Sequence, residues 1–149
     1  MSDLTELYQN VILDHNRRPR NYGTMQHSDA TAEGKNPLCG DQLTLWVKFD
    51  GQQIEDIRFT ASGCAISRAS ASMMTAAVKG KSRIEADTLF ERFHRLVTGR
   101  AEPGEDPAAL GSLAAFSGVS RFPVRVKCAS LAWHTLRAAL AQRDDVSPG

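Results

Sequence analysis

An alternating pattern of apolar residues between positions 43 and 61 constrains the fold of this chain more than any other feature. In the first half, apolar side chains occupy every second position, which is typical of a half-buried β-strand. Asp50-Gly51 follows and favours a tight hairpin turn. The return strand repeats the alternation, except that Ile54 is out of phase and predicts a bulge near Glu55. The pattern therefore predicts an antiparallel hairpin.

A cysteine flanks each end of the predicted hairpin. Cys39 precedes the first strand, in the segment Asn36-Pro37-Leu38-Cys39-Gly40-Asp41, and Cys64 follows the second strand. Because the two strands run antiparallel, we expect both thiols at the same end of the sheet. Gly40 permits a tight turn that aims Cys39 and Asp41 at one ion. The alternative is an ordinary turn in which Asp41 accepts backbone hydrogen bonds.

The residues after Cys64 predict a helix. Positions 65–78 lack proline and glycine and are rich in alanine and methionine, so Cys64 is expected at the first helical turn. Exposed backbone N–H groups and the positive end of the helix dipole stabilise a thiolate there. The alternative is that Cys64 is a small buried apolar side chain, as free cysteines often are.

The third cysteine belongs to the last predicted helix. That helix starts at Pro123, a residue favoured in a first helical turn, and Cys128 lies on its inner face. Arg125 is one turn before Cys128, where a cation either favours the thiolate or contacts a partner protein. Three cysteines are an odd number, which favours metal binding or thiol chemistry over a disulfide framework. We predict that the fold gathers the three thiols around one metal ion.

Local signals predict several further elements. The N-terminal helix ends before Pro19, which cannot continue its hydrogen bonds. Ser82 and Glu85 form a capping box at the start of another helix. A weak strand is expected within 29–35 and a short helix over 108–116.

Length and composition indicate one domain, 1–149. The formal net charge is +1 and hydrophobic residues make up 42%, so neither nucleic acid nor an anionic membrane is indicated as a partner. Neither a signal peptide nor a membrane-spanning segment is predicted, so we expect a cytoplasmic protein with reduced thiols. Residues 144–149 are expected to form a disordered tail.

Taken together, these motifs resemble the U-type iron–sulfur cluster assembly proteins, the SufU/IscU/NifU N-terminal family. The resemblance covers about Leu7 to Ala139, nearly the whole chain. It rests on an opening segment and three separate motifs in the family order. These are Leu7-Tyr8 … Val11-Ile12-Leu13-Asp14-His15, Asn36-Pro37-Leu38-Cys39-Gly40-Asp41, Gly63-Cys64-Ala65-Ile66-Ser67 with the small-residue run that ends at Met74, and Arg125-Val126-Lys127-Cys128-Ala129.

The resemblance implies a fold, a ligand set and a branch of the family. The implied fold is α+β: a small antiparallel sheet of about three strands with helices packed on one face. The implied metal ligands are Cys39, Asp41, Cys64 and Cys128. Residues 101–121 look like the insertion of the SufU branch, and Lys127 stands where IscU-type scaffolds carry a histidine. Both features point to the SufU branch, and the absence of that histidine favours a zinc site over a cluster-building site.

The resemblance also implies a function. Three thiolates and one carboxylate suit tetrahedral zinc. The implied activity is zinc-dependent sulfurtransfer: a histidine of a pyridoxal-phosphate cysteine desulfurase (SufS-like) replaces one cysteine on zinc, and Cys39 accepts the persulfide sulfur. The alternative is a scaffold, not an enzyme, that builds a [2Fe–2S] cluster on the same ligands and passes it to downstream cluster-assembly proteins. A purely structural zinc site is the third hypothesis.

Overall fold

The computed structural model describes the backbone of residues 3–100, 107–141 and 145–146, and the side chains of 8–100 and 110–141. The helices are α1 (Asp3–Arg17), α2 (Ala65–Val78), α3 (Arg83–Thr98) and α4 (Pro123–Leu140). The strands are β1 (Ala30–Asn36), β2 (Asp41–Asp50), β3 (Gln53–Ser62) and β4 (Asp145–Val146). Two 3₁₀ segments, Pro107–Phe116 and Val119–Arg121, lie between α3 and α4.

The predicted hairpin is formed by β2 and β3. The strand order is β3-β2-β1-β4, and the first three strands are antiparallel. Lys48 pairs with Asp56 and Phe49 pairs with Ile54, so Glu55 is the extra residue of a bulge. The bulge predicted near Glu55 is confirmed. It returns Ile54 to the buried face, since without an extra residue the period of two would turn this side chain outwards.

The helices cover one face of the sheet. Buried and exposed side chains alternate along β1 and along the first part of β2. Helix α4 packs on β1 and β2, and α2 packs on β3. Behind them, the buried Trp133 of α4 stacks on Phe93 of α3, with 4.8 Å between ring centroids. The predicted α+β class, with an antiparallel sheet and helices on one face, is confirmed.

The C-terminal end departs from the sequence prediction. The disordered tail predicted at 144–149 is wrong for Asp145–Val146, whose backbone pairs in parallel with Glu33–Gly34 of β1. The free edge of β1 carries unpaired N–H and C=O groups, which an extended segment satisfies although its own sequence has no strand pattern. The other residues of this tail lie outside the described part of the chain.

The predicted insertion at 101–121 contributes to the core in its described part, whereas residues 101–106 lie outside that part. The side chain of Phe116 is buried and packs edge-on against Phe93, with 5.6 Å between centroids. The short helix predicted over 108–116 is instead a 3₁₀ segment bent at Gly111. The φ of 62° at Gly111 cannot continue a right-handed helix.

Helix boundaries follow the predicted capping signals. Oγ of Ser82 accepts the N–H of Glu85 at 3.1 Å, and the Glu85 carboxylate accepts the N–H of Ser82 at 3.0 Å. These two bonds complete the predicted capping box. Helix α1 ends at Arg17, before Pro19, and α4 begins at Pro123. Within the described residues, no helix has both the length and the apolar character that crossing a membrane requires.

A histidine–serine contact joins α1 to α2. Nδ1 of His15 lies 2.7 Å from Oγ of Ser72, and the same oxygen accepts the N–H of Arg20 at 2.8 Å. A neutral His15 with an unprotonated Nδ1 can accept the Ser72 hydroxyl proton while Ser72 accepts from Arg20. Burial lowers the pKa of His15, and the Arg20 charge lowers it further against the opposing Asp14 carboxylate. The imidazole is therefore neutral at pH 7.

We expect the fold to lose stability in mild acid, because protonation of His15 removes its contact with Ser72. A histidine whose pKa is lowered by folding binds fewer protons in the folded state than in the unfolded state. Its contribution to the free energy of unfolding is therefore complete above the unfolded pKa of about 6.5 and is lost as pH falls towards the folded pKa. His15→Gln removes the titration but keeps an acceptor for Ser72. Between about pH 7.5 and about pH 5.5, the thermal midpoint of metal-free wild type should fall by more than that of the variant. Equal losses of thermal midpoint in the two proteins would contradict this role for His15.

Candidate metal centre

The sheet brings the three cysteine motifs to one end, as the predicted hairpin requires. Cys39 lies in the turn between β1 and β2. Cys64 follows β3 after one intervening residue, Gly63, and the end of β3 is paired with the start of β2. Cys128 lies in the second turn of α4, which packs on β1 and β2. Three segments that are distant along the chain therefore meet at one end of the sheet.

The ligand atoms of the four predicted residues are close together. One ligand atom each from Cys39, Asp41 and Cys128 lie within 4.8 Å of one another. The thiol of Cys128 donates to Sγ of Cys39 at 3.2 Å. Cys64 adjoins this group, because its Sγ lies 3.8 Å from Oδ2 of Asp41. The structure thus brings all four residues together, with Cys64 at the margin of the cluster.

Asp41 supplies a buried carboxylate to the cluster. It is 1% exposed, and its Oδ1 accepts the N–H of Cys64 at 2.8 Å. Gly63 lies against it with a φ of 120°, and a Cβ at Gly63 would overlap Oδ1 and lie 2.7 Å from the Asp41 Cα. Only glycine permits this approach. One oxygen of Asp41 thus accepts a backbone hydrogen bond, as expected for an ordinary turn. The other oxygen lies beside the Cys64 sulfur, as expected for a metal ligand.

Cys128 is more deeply buried than the other two cysteines. Cys128 is 2% exposed, whereas Cys39 and Cys64 are half-buried. Burial raises the pKa of the Cys128 thiol, and hydrogen bonds with Cys39, Cys64 and Asp41 raise it further. In the metal-free protein this thiol is therefore protonated at neutral pH. A bound cation would reverse the preference, because its charge stabilises the thiolate.

Cys64 occupies the N-cap of α2, one residue before the predicted first turn. Its φ of −76° and ψ of 158° are extended, and its carbonyl accepts the N–H of Arg68 at 3.2 Å. Its side chain makes no capping hydrogen bond to the helix. The sulfur therefore remains available as a ligand next to Asp41.

Arg125 lies apart from the thiols. It is exposed, and its guanidinium carbon lies 4.9 Å from the centre of the Phe122 ring. Within the part of the chain that the structure describes, no hydrogen bond or ion pair joins its side chain to a cysteine. This position suits the predicted contact with a partner better than the predicted stabilisation of a thiolate. The role of Arg125 stays a prediction.

Sequence reasoning gave no role to Asn36, the last residue of β1. It is 1% exposed, and its side-chain amide nitrogen lies 3.7 Å from Sγ of Cys128, 92 positions away in the chain. The only signal was its place three residues before Cys39, at the start of the same motif. A contact over such a sequence distance leaves no local pattern.

The donor set fits a thiophilic tetrahedral metal. Two sulfurs bound to one zinc at about 2.3 Å lie roughly 3.8 Å apart in tetrahedral geometry. The Sγ atoms of Cys39 and Cys128 lie 3.2 Å apart, and the ligand atoms of Cys39, Asp41 and Cys128 all lie within 4.8 Å of one another, so these donors are close enough to share one zinc. Thiolates also bind iron in iron–sulfur clusters, so the donor set admits both kinds of site.

Fold and cluster together define a class of small α+β proteins with three cysteines and one aspartate at the end of an antiparallel sheet. Residues 7–129 match the family model of the NifU-like N terminal domain, and the chain belongs to this family.

Named relatives carry two functional descriptions. A Streptococcus pyogenes serotype M1 protein, iron–sulfur cluster assembly scaffold protein IscU, is 44% identical over 94% of this chain and 86% of its own length. A Bacillus subtilis protein, zinc-dependent sulfurtransferase SufU, is 41% identical over 96% and 95%. The solved structure of a putative iron–sulfur cluster assembly scaffold protein for the SUF system from Fervidobacterium islandicum has a TM-score of 0.83 and 36% identity over 91% and 97%.

Proposed function

We propose that this chain is an iron–sulfur cluster assembly protein that accepts sulfur from a pyridoxal-phosphate cysteine desulfurase at a zinc site. The similarity to the Bacillus subtilis zinc-dependent sulfurtransferase supports the activity. The observation that carries the proposal is the unequal exposure of the cluster. Cys39, on a turn, and Cys64, at the start of α2, are half-buried, whereas Cys128 on α4 is 2% exposed.

The proposed ligands are Cys39, Asp41, Cys64 and Cys128. When bound, zinc would keep the thiols as thiolates near neutral pH without oxidising them. Metal binding would also tie the Cys39 turn, the start of α2 and α4 together, so it should add to stability.

Cys39 is the proposed sulfur acceptor. It is half-buried on a turn between the exposed Leu38 and Gly40, whose φ is 69°. Its thiolate attacks the terminal sulfur of the donor's cysteine persulfide. The sulfur–sulfur bond of the donor breaks, the donor cysteine leaves as a thiolate, and Cys39 carries the sulfur as a new persulfide. Cys128 is a poor candidate for this attack, because it is 2% exposed.

The exposed surface around this turn is the proposed docking site of the desulfurase. Leu38 is 68% exposed directly beside Cys39, and Phe122, which packs under Arg125, is 50% exposed. Exposed large apolar side chains next to a reactive site are typical of protein contacts. Arg125 is proposed as a second partner contact, because it is exposed and packs on the half-exposed Phe122 ring.

The test combines the zinc-loaded protein with a cysteine desulfurase and free cysteine, and measures the rate of sulfide release under reducing conditions. We expect the zinc-loaded chain to raise the rate and a chelator-stripped sample to raise it much less. The stripped sample reloaded with zinc is the control for damage during chelation. No increase with the zinc-loaded chain would contradict sulfur acceptance.

A second candidate function is a scaffold on which a [2Fe–2S] cluster is assembled and passed to downstream cluster-assembly proteins. The similarity to the Streptococcus pyogenes scaffold protein favours it, and the same four donors would serve. The presence of Lys127 in place of a histidine before Cys128 counts against it. Anaerobic reconstitution distinguishes the two, because a stoichiometric cluster that moves to an apo-ferredoxin would favour the scaffold.

A further inference from the structure

Asn36 contacts both the turn that holds Cys39 and the buried thiol of Cys128. Its carbonyl oxygen accepts the N–H of Cys39 at 3.2 Å, and its side-chain Oδ1 accepts the N–H of Leu38 at 3.3 Å. Its Nδ2 donates to Sγ of Cys128 at 3.7 Å. A backbone N–H can only donate, so the atom that faces Leu38 must be the amide oxygen. The NH₂ group is thereby directed at Cys128.

We propose that Asn36 is the positioning residue that makes Cys128 the fixed thiol ligand of the metal and leaves Cys39 as the exchangeable one. This inference rests on the proposed zinc site. It assigns a role that neither the cysteine motifs nor the ligand set contains.

The two halves of the Asn36 amide act on different cysteines. The oxygen forms an Asx-turn with Leu38, which shapes the turn that presents Cys39. The nitrogen donates to a sulfur that becomes anionic in the metal-bound state, and such charge-assisted bonds are stronger than neutral ones. A donated hydrogen bond reduces the tendency of the Cys128 sulfur to leave the metal or attack an electrophile. Within the described residues, no side-chain amide donates to the sulfur of Cys39 or Cys64.

Burial adds to this difference. Asn36 is 1% exposed and Cys128 is 2% exposed, so water does not replace the amide as a donor. Partners of metal ligands commonly change metal affinity by about 10–100-fold when they are removed. Because the amide contacts one thiol of three, its removal should act selectively on that thiol.

Three substitutions separate the two halves of the amide. Asn36→Asp keeps an oxygen acceptor for Leu38 and loses the donor to Cys128. Asn36→Ser also lacks the amide donor, keeps a short polar acceptor and adds no charge. Asn36→Ala removes both groups. Each zinc-loaded full-length protein is treated with iodoacetamide, and the alkylation rate of each cysteine is measured by mass spectrometry.

We expect Cys39 to react first and Cys128 last in the wild type. In Asn36→Asp and Asn36→Ser, the rate of Cys128 relative to Cys39 should rise by about 10-fold or more, and zinc should bind about 10–100-fold more weakly in a chelator competition. Far-UV circular dichroism checks the fold of each variant. If the charged Asp variant does not fold, the Ser variant provides the same comparison.

Several results would overturn the inference. One is an unchanged ratio of the Cys128 and Cys39 alkylation rates in both the Asp and Ser variants. Another is a wild-type ratio in the Asp variant when the Ala variant alone changes it, since Asn36 would then only form the turn. A wild type that binds no zinc contradicts the proposed function itself. Normal zinc binding with an unchanged rate ratio contradicts only the role of Asn36.

Discussion

Replacing Cys39 with alanine is expected to reduce sulfide release to the level of the desulfurase alone while leaving the fold intact. The side chain is half-buried in a turn, so its loss should change the stability of the metal-free protein by less than about 1 kcal/mol. The nucleophile, however, disappears completely. Cys39→Ser should be equally inactive, because a hydroxyl is a much weaker nucleophile than a thiolate near neutral pH.

A destabilised variant with an intact cluster provides the matched control. Ser82→Ala removes the N-cap of α3, which pairs with Gln53 at the opposite end of the hairpin from the cysteines, and should cost about 1 kcal/mol. It should nevertheless retain the full sulfide-release rate. Undiminished stimulation by Cys39→Ala would exclude Cys39 as the acceptor. Global unfolding of Cys39→Ala would favour a purely structural metal site.

Replacing Gly63 with alanine is expected to damage both the fold and the metal site. The φ of 120° is unfavourable for a side chain, and the new Cβ would overlap Asp41. Backbone strain and overpacking together should lower the free energy of unfolding by about 2–4 kcal/mol. Asp41 must also move to relieve the overlap, so zinc affinity should fall as well. Thermal unfolding and a chelator competition measure the two effects.

Gly118→Ala is the matched glycine control. Gly118 has a φ of −86° and a ψ of −4°, which any residue adopts, and a Cβ there meets nothing within 4 Å. We expect its unfolding free energy to stay within about 0.5 kcal/mol of the wild type. If Gly63→Ala and Gly118→Ala were indistinguishable in stability and in zinc affinity, the contact between Gly63 and Asp41 would have no energetic importance.

The parts of the fold that could be predicted depend on neighbours in the sequence. The hairpin follows from a period of two, and the bulge at Glu55 follows from one residue out of phase. The α3 capping box is a signal that spans three positions. Because the hairpin aligns its own ends, it also places Cys39 and Cys64 together without knowledge of the rest of the structure.

The parts that could not be predicted depend on contacts between distant segments. The strand at Asp145–Val146 exists because the edge of β1 is free, which its own sequence does not reveal. The bend at Gly111 overrides an apolar run that otherwise favours a helix. The proximity of Asn36 and Cys128 depends on the packing of α4 against the sheet. The sequence supplied the ligand candidates, and only the structure identified the residue next to the buried thiol.

The position of the bulge makes the two ends of the hairpin unequal in their tolerance of insertions and deletions. Between the bulge and the cysteines, pairing is continuous from Lys48–Asp56 to Gln42–Ser62. One residue added in this interval would rotate Cys64 to the opposite side of the sheet, because side chains alternate along a strand. A residue added at Asp50-Gly51 would only lengthen a loop. Natural length variation among descendants of this chain should therefore accumulate at the hairpin tip and spare the interval that leads to Cys64.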